Sequence, residues 1–105
     1  MVKYLKTIEE FNAMLTEEAG KLSIIDFTAT WCGPCQMIAP IYQKLSEEHT
    51  DCNFYKVDVD ESEEIAQACD ISAMPTFQFF KGGKKVDDFC GASEDKILQR
   101  INQHK

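Results

Sequence analysis

Basic residues are scarce in this chain, and long apolar runs are missing altogether. Eleven Lys and Arg stand against eighteen Asp and Glu, a formal charge of -7, which sets the surface against nucleic-acid phosphates and anionic membranes. Nowhere do 18 apolar residues follow one another, so no membrane-crossing helix is expected. The opening MVKYLKTIEE lacks the apolar core of a secretory leader, and the closing INQHK carries no retention signal. Internal repeats, low-complexity tracts, linkers and a G-x-G-x-x-G dinucleotide motif are absent too. The resulting expectation is cytoplasmic residence, where thiols stay reduced and cysteines serve as catalytic, metal-binding or core residues. Five cysteines, an odd number, fit that better than a disulfide framework.

What is present is an ordinary globular composition. The 105 residues are 44% apolar and 28% charged, enough for one hydrophobic core and too few for two, so 1–105 reads as one domain. Thr7 followed by Glu10 matches a capping box, and Ile8, Phe11, Met14 and Leu15 recur at helical spacing, predicting a helix over roughly 8–18 after a short strand. LSIIDF (22–27) has the continuous apolar character of a strand buried on both faces. From Pro34, the residues Met37, Ile38, Ile41 and Leu45 carry an apolar stripe to about His49, with Pro40 expected to kink that helix without ending it.

NFYKVDV (53–59) predicts a strand and 62–69 a short helix. Strand, crossover helix and strand make a βαβ unit with parallel pairing. TFQFF after Pro75, the Gly82-Gly83 turn and KVDDFC read as a hairpin, and Ser93 caps a closing helix through Ile97, Leu98 and Ile101. The fold class is α/β, a mixed sheet covered by helices.

Chemistry concentrates in TATWCGPCQMIAP, residues 28–40. A structural disulfide between Cys32 and Cys35 would close a very short loop and contribute only about 2 kcal/mol in the chain-entropy account. A metal site is the second reading, since Cys32, Cys35, His49 and Cys52 are spaced like zinc ligands. A helix over 35–49 opposes it by separating Cys35 from His49 by roughly 20 Å, so no metal is expected. A redox couple is the third. Cys32 would sit at a helix N-terminus just past a buried strand, where free N–H groups and the helix dipole favour a thiolate. Cys35, one turn in and more shielded, would then be the resolving thiol. The acidic run DVDESEE (58–64) is no calcium loop, having Glu63 where glycine is needed and Cys69 where glutamate is needed.

WCGPC after a strand ending in DF, followed by KVDVDE, MPTFQFFKGGKKV and Gly91-Ala92, resembles the thioredoxin family over essentially the whole chain, and most of all its cytosolic animal members. The resemblance implies a thioredoxin fold, with about five strands in a central mixed sheet flanked by about four helices. It implies a general protein-disulfide reductase acting through a mixed disulfide. It assigns proton transfer to Asp26, tuned by Lys56, although a structural hydrogen-bonded acid is the alternative for Asp26. It makes Pro75 cis, and it places Trp31, Gly33, Pro34, Met74, Pro75, Gly91 and Ala92 in an exposed apolar docking surface around Cys32.

The implied partners are a thioredoxin reductase drawing on NADPH and disulfide-bearing proteins such as peroxiredoxins, with no cofactor bound by the chain itself and a monomeric state. The Gly-Pro dipeptide between the cysteines departs from the Gly-His of disulfide isomerases and the Pro-Tyr of glutaredoxins. Cys52 and Cys69 are expected to pack as small apolar side chains; Cys90, beside the docking surface, and Cys69 are candidate regulatory thiols. Ala73 stands where many animal relatives carry a cysteine before Met-Pro. A scaffold that binds partners without turnover is the rival reading, which a complete redox site disfavours.

Overall fold

The computed structural model describes all 105 residues. Five strands, β1 (Val2–Tyr4), β2 (Ser23–Thr28), β3 (Asn53–Asp58), β4 (Thr76–Lys81) and β5 (Lys84–Cys90), form one sheet in the order β1-β3-β2-β4-β5. Four helices, α1 (Ile8–Glu17), α2 (Gly33–Glu48), α3 (Glu63–Ala68) and α4 (Glu94–His104), join them. The β1, β3 and β2 strands pair in parallel, while β4 pairs antiparallel with both β2 and β5, as the predicted βαβ unit and hairpin require.

Alternation along the strands sorts side chains into two apolar layers. Ile24, Phe54, Phe77 and Phe79 meet Ile38, Tyr42 and Leu45 of α2 and Ile97 and Ile101 of α4 on one face. On the other, Ile25, Phe27, Tyr55, Val57 and Phe80 meet Phe11 and Met14 of α1 and Ile65 of α3. Central β2 is buried over its whole length. Its direction aims residues 29–32 into the turn that starts α2.

The helix ends follow local chemistry. Thr7 Oγ1 accepts from the Glu10 amide while the Glu10 carboxylate accepts from the Thr7 amide, completing the capping box of α1. Ser93 Oγ accepts from the Lys96 amide at the start of α4. Helix α2 runs through Pro40 as expected. Its buried stripe is Cys35, Ile38, Tyr42, Leu45 and Ser46, with Ile41 partly buried. Met37 does not belong to it: the side chain is 75% exposed, because two residues beyond Cys35 is about 200° around the helix and faces away from the sheet. Tyr42 fills the core and its hydroxyl lies 2.8 Å from the Tyr55 carbonyl and 3.1 Å from that of Ile24, tying α2 to two strands. Cys69 lies just past α3 as its C-cap, beyond the end of the helix expected to hold it.

Candidate active site

The cysteines sit where β2 hands over to α2. Cys32 is the N-cap residue of α2, in extended backbone conformation, and its Sγ accepts from the Cys35 amide at 3.2 Å. Serine and aspartate oxygens usually fill this role; here a sulfur satisfies one of the orphan amides of the first turn. Cys32 and Cys35 are joined in a disulfide with Cα atoms 5.3 Å apart. Both are buried, Cys32 to 6% exposure and Cys35 to 1%, against Ala29 with Val59 and Met74 packed alongside. His49, at the far end of α2 as its C-cap, is separated from Cys35 by nearly the full length of the helix.

Asp26 is fully buried, and neither carboxylate oxygen has a hydrogen-bond partner. Strand alternation puts it on the α2 side of the sheet, between Lys56 on β3 and Phe77 on β4. Burial raises its pKa from 3.8 to about 7, and the positive charge of Lys56 opposes that rise without forming an ion pair.

The Met74-Pro75 peptide bond is cis, as the resemblance implied. Pro75 itself is buried, so it does not line an exposed apolar surface; Met74 is partly buried, and Trp31, Gly33, Pro34, Gly91 and Ala92 are exposed. It lies immediately before β4, whose Thr76 pairs with both Phe27 and Cys90 in the interior of the sheet. The Gly91 amide donates to the Pro75 carbonyl at 2.9 Å, and Gly91 holds φ at 110°, a conformation that favours glycine. This bond draws the end of β5 against the cis-proline loop.

Of the other cysteines, Cys52 is buried in the α2/α4 core layer and Cys69 is half-buried. Burial raises the pKa of both thiols, that of Cys69 to about 11. Cys90 is exposed, with Sγ 3.4 Å from Thr76 Oγ1.

Four hydrogen bonds escaped sequence reading. The Trp31 indole N–H donates to Asp60 Oδ2 at 2.8 Å, steadying a ring that is 67% exposed. Asp60 is placed by a turn in which Asp58 Oδ1 accepts from the Asp60 and Glu61 amides. Gln36 Nε2 donates to the Ala29 carbonyl at 3.1 Å.

The Thioredoxin family model matches residues 2–103. The chain is 48% identical to a thioredoxin of Ictalurus punctatus and 50% identical to one of Geodia cydonium, each alignment covering the full length of both proteins. It is 45% identical to Homo sapiens thioredoxin over 98% of both. Among solved structures it is similar to the X-ray structure of Fasciola hepatica thioredoxin, with a TM-score of 0.96, 45% identity and coverage of 98% of this chain and 99% of the other.

Proposed function

The chain belongs to the thioredoxin family and is a thiol-disulfide oxidoreductase, and from that premise we propose a general protein-disulfide reductase that is re-reduced by a thioredoxin reductase at the expense of NADPH. The observation that carries the proposal is the Cys32–Cys35 pair at the N-terminus of α2, with its sulfur in the capping position.

Reduction of the pair leaves two thiols. The Cys32 thiolate, favoured by the Cys35 amide and the helix dipole, attacks one sulfur of a substrate disulfide. A Cys32–substrate disulfide forms and the first substrate thiol leaves. Cys35 loses its proton with help from Asp26 and attacks Cys32 Sγ; the mixed disulfide breaks, the second substrate thiol departs and the Cys32–Cys35 disulfide remains. Two electrons pass from the protein to the substrate. Asp26 suits this role because its pKa of about 7 lets it take up and return a proton near neutral pH, with Lys56 biasing it toward the charged form.

Trp31, Gly33, Pro34, Gly91 and Ala92, with Met74 at the edge, form the docking surface in this reading. The Met74 backbone pairs with an incoming extended peptide like an added strand. Disulfide-bearing proteins such as peroxiredoxins are the proposed acceptors, the chain acting in the cytoplasm as a monomer without a bound cofactor. No helix is long and apolar enough to cross a membrane.

Insulin reduction driven by dithiothreitol tests the activity. Wild-type protein is expected to turn over and Cys35→Ser to stall as a Cys32 mixed disulfide that can be isolated with its substrate. Wild-type activity no higher than dithiothreitol alone overturns the proposal.

A further inference from the structure

Cys32 is fastened through its amide, its carbonyl and its sulfur. Its amide donates to the Ala29 carbonyl at 3.2 Å, its carbonyl accepts from the Gln36 amide at 3.2 Å, and its sulfur accepts from the Cys35 amide. Gln36 enters this arrangement twice. Besides its backbone bond to Cys32, its side-chain amide reaches back to the same Ala29 carbonyl that receives the Cys32 amide. A carbonyl oxygen has two lone pairs, and here both have a donor, one from the nucleophile's own backbone and one from α2. Ala29 is 1% exposed, so its residue lies within the cysteine cluster, away from the open surface.

We propose that Gln36 is a positioning residue for the disulfide-exchange reaction: by holding the Ala29 carbonyl against the first turn of α2, it fixes the Cys32 backbone so that Sγ stays over the Cys35 amide. Gln36 is uncharged and cannot favour the thiolate through its own field. It acts through geometry, keeping the sulfur in line with the amide that stabilises its negative charge. Loosening the Ala29 carbonyl lets the Cys32 backbone rotate, and the bond from the Cys35 amide lengthens. The thiolate then loses a donor while the neutral thiol loses little. The role rests on the exchange chemistry proposed above.

The test is the pH dependence of Cys32 alkylation by iodoacetamide in the fully reduced chain, followed by mass spectrometry of the Cys32 peptide. Gln36→Met keeps side-chain length and helix propensity but removes the donor. Gln36→Lys restores a donor, and in about 1 M salt the Debye length of roughly 3 Å suppresses the effect of its charge. Relative to wild type in the same salt, Gln36→Met is expected to have the midpoint of its profile raised by about 0.5 pH, so that well below the midpoint it alkylates about threefold more slowly, a threefold loss of thiolate. Gln36→Lys is expected to follow the wild-type profile.

The proposal is overturned if the Met and wild-type profiles superimpose, if Met slows alkylation by one factor at every pH without moving the midpoint, or if Lys fails to restore the midpoint. Alkylation needs no turnover, so this result is read separately from insulin reduction by the wild type. Failure of insulin reduction removes the reductase reading, whereas failure of the profile removes only the part assigned to Gln36.

Discussion

Replacing Asp26 by Asn should stabilise the oxidised protein in a way that depends on pH, and the size of the effect follows from one buried carboxyl. Its pKa is raised from 3.8 to about 7 by desolvation, against the opposing charge of Lys56. Below pH 3.8 the group is protonated in both the folded and unfolded chains and ionisation makes no difference. Between 3.8 and about 7 the unfolded chain releases the proton while the folded chain keeps it, so stability falls as pH rises. Above 7 the whole penalty is present. The separation of about 3 pH, at 1.36 kcal/mol for each, amounts to ~4 kcal/mol.

Asn has nearly the shape of the carboxyl and does not titrate, and every other ionisable group is common to the two proteins. Urea unfolding of both, from pH 4 to pH 8, should give a difference in unfolding free energy that moves in favour of Asp26→Asn by ~4 kcal/mol across that range. A pH-independent difference, or one that moves in favour of the wild type as pH rises, would refute the assignment of an unpaired, desolvated carboxyl at this position. In the reduced protein the same variant should slow release of the mixed disulfide, because Cys35 then lacks its proton acceptor.

Two further perturbations address the supports of the site. Tyr42→Phe removes a hydroxyl poised between the Tyr55 and Ile24 carbonyls in a fully buried setting, and should lower stability by about 1–2 kcal/mol in urea unfolding. Asp60→Ala frees the Trp31 indole; because Trp31 is the sole tryptophan, its fluorescence anisotropy should fall. Stability should change by less than about 1 kcal/mol, the bond being exposed.

The fold was legible wherever neighbours in sequence decide the structure. A capping box needs only Thr7 and Glu10, a doubly buried strand needs only an unbroken apolar run, and a two-glycine turn announces its hairpin. The placement of the cysteines was legible for the same reason: a helix start after a buried strand is a local feature. One local reading failed on angle alone: Met37 was drawn into the apolar stripe because it is hydrophobic, yet its angular position sends it to solvent. The others failed where burial or hydrogen bonding depends on a distant partner. Pro75 was taken as part of an exposed surface, but it is buried immediately before β4, a strand flanked on both sides by segments far away in sequence. The Trp31–Asp60 bond joins residues 29 apart, and only the β2–β3 register brings their segments together. For Gln36 a signal was available, a donor in the first turns of the helix seven residues after a carbonyl that precedes it, but many side chains share that spacing and few use it.

A sulfur that caps α2 also has an analytical use. The Cys35 amide is bonded to the atom that passes through thiolate, mixed disulfide and internal disulfide. Its proton should therefore change chemical shift and solvent-exchange rate at each stage. Isotopic labelling of this one backbone nitrogen would let a spectrometer follow catalysis from inside the protein, with no dye and no modified substrate.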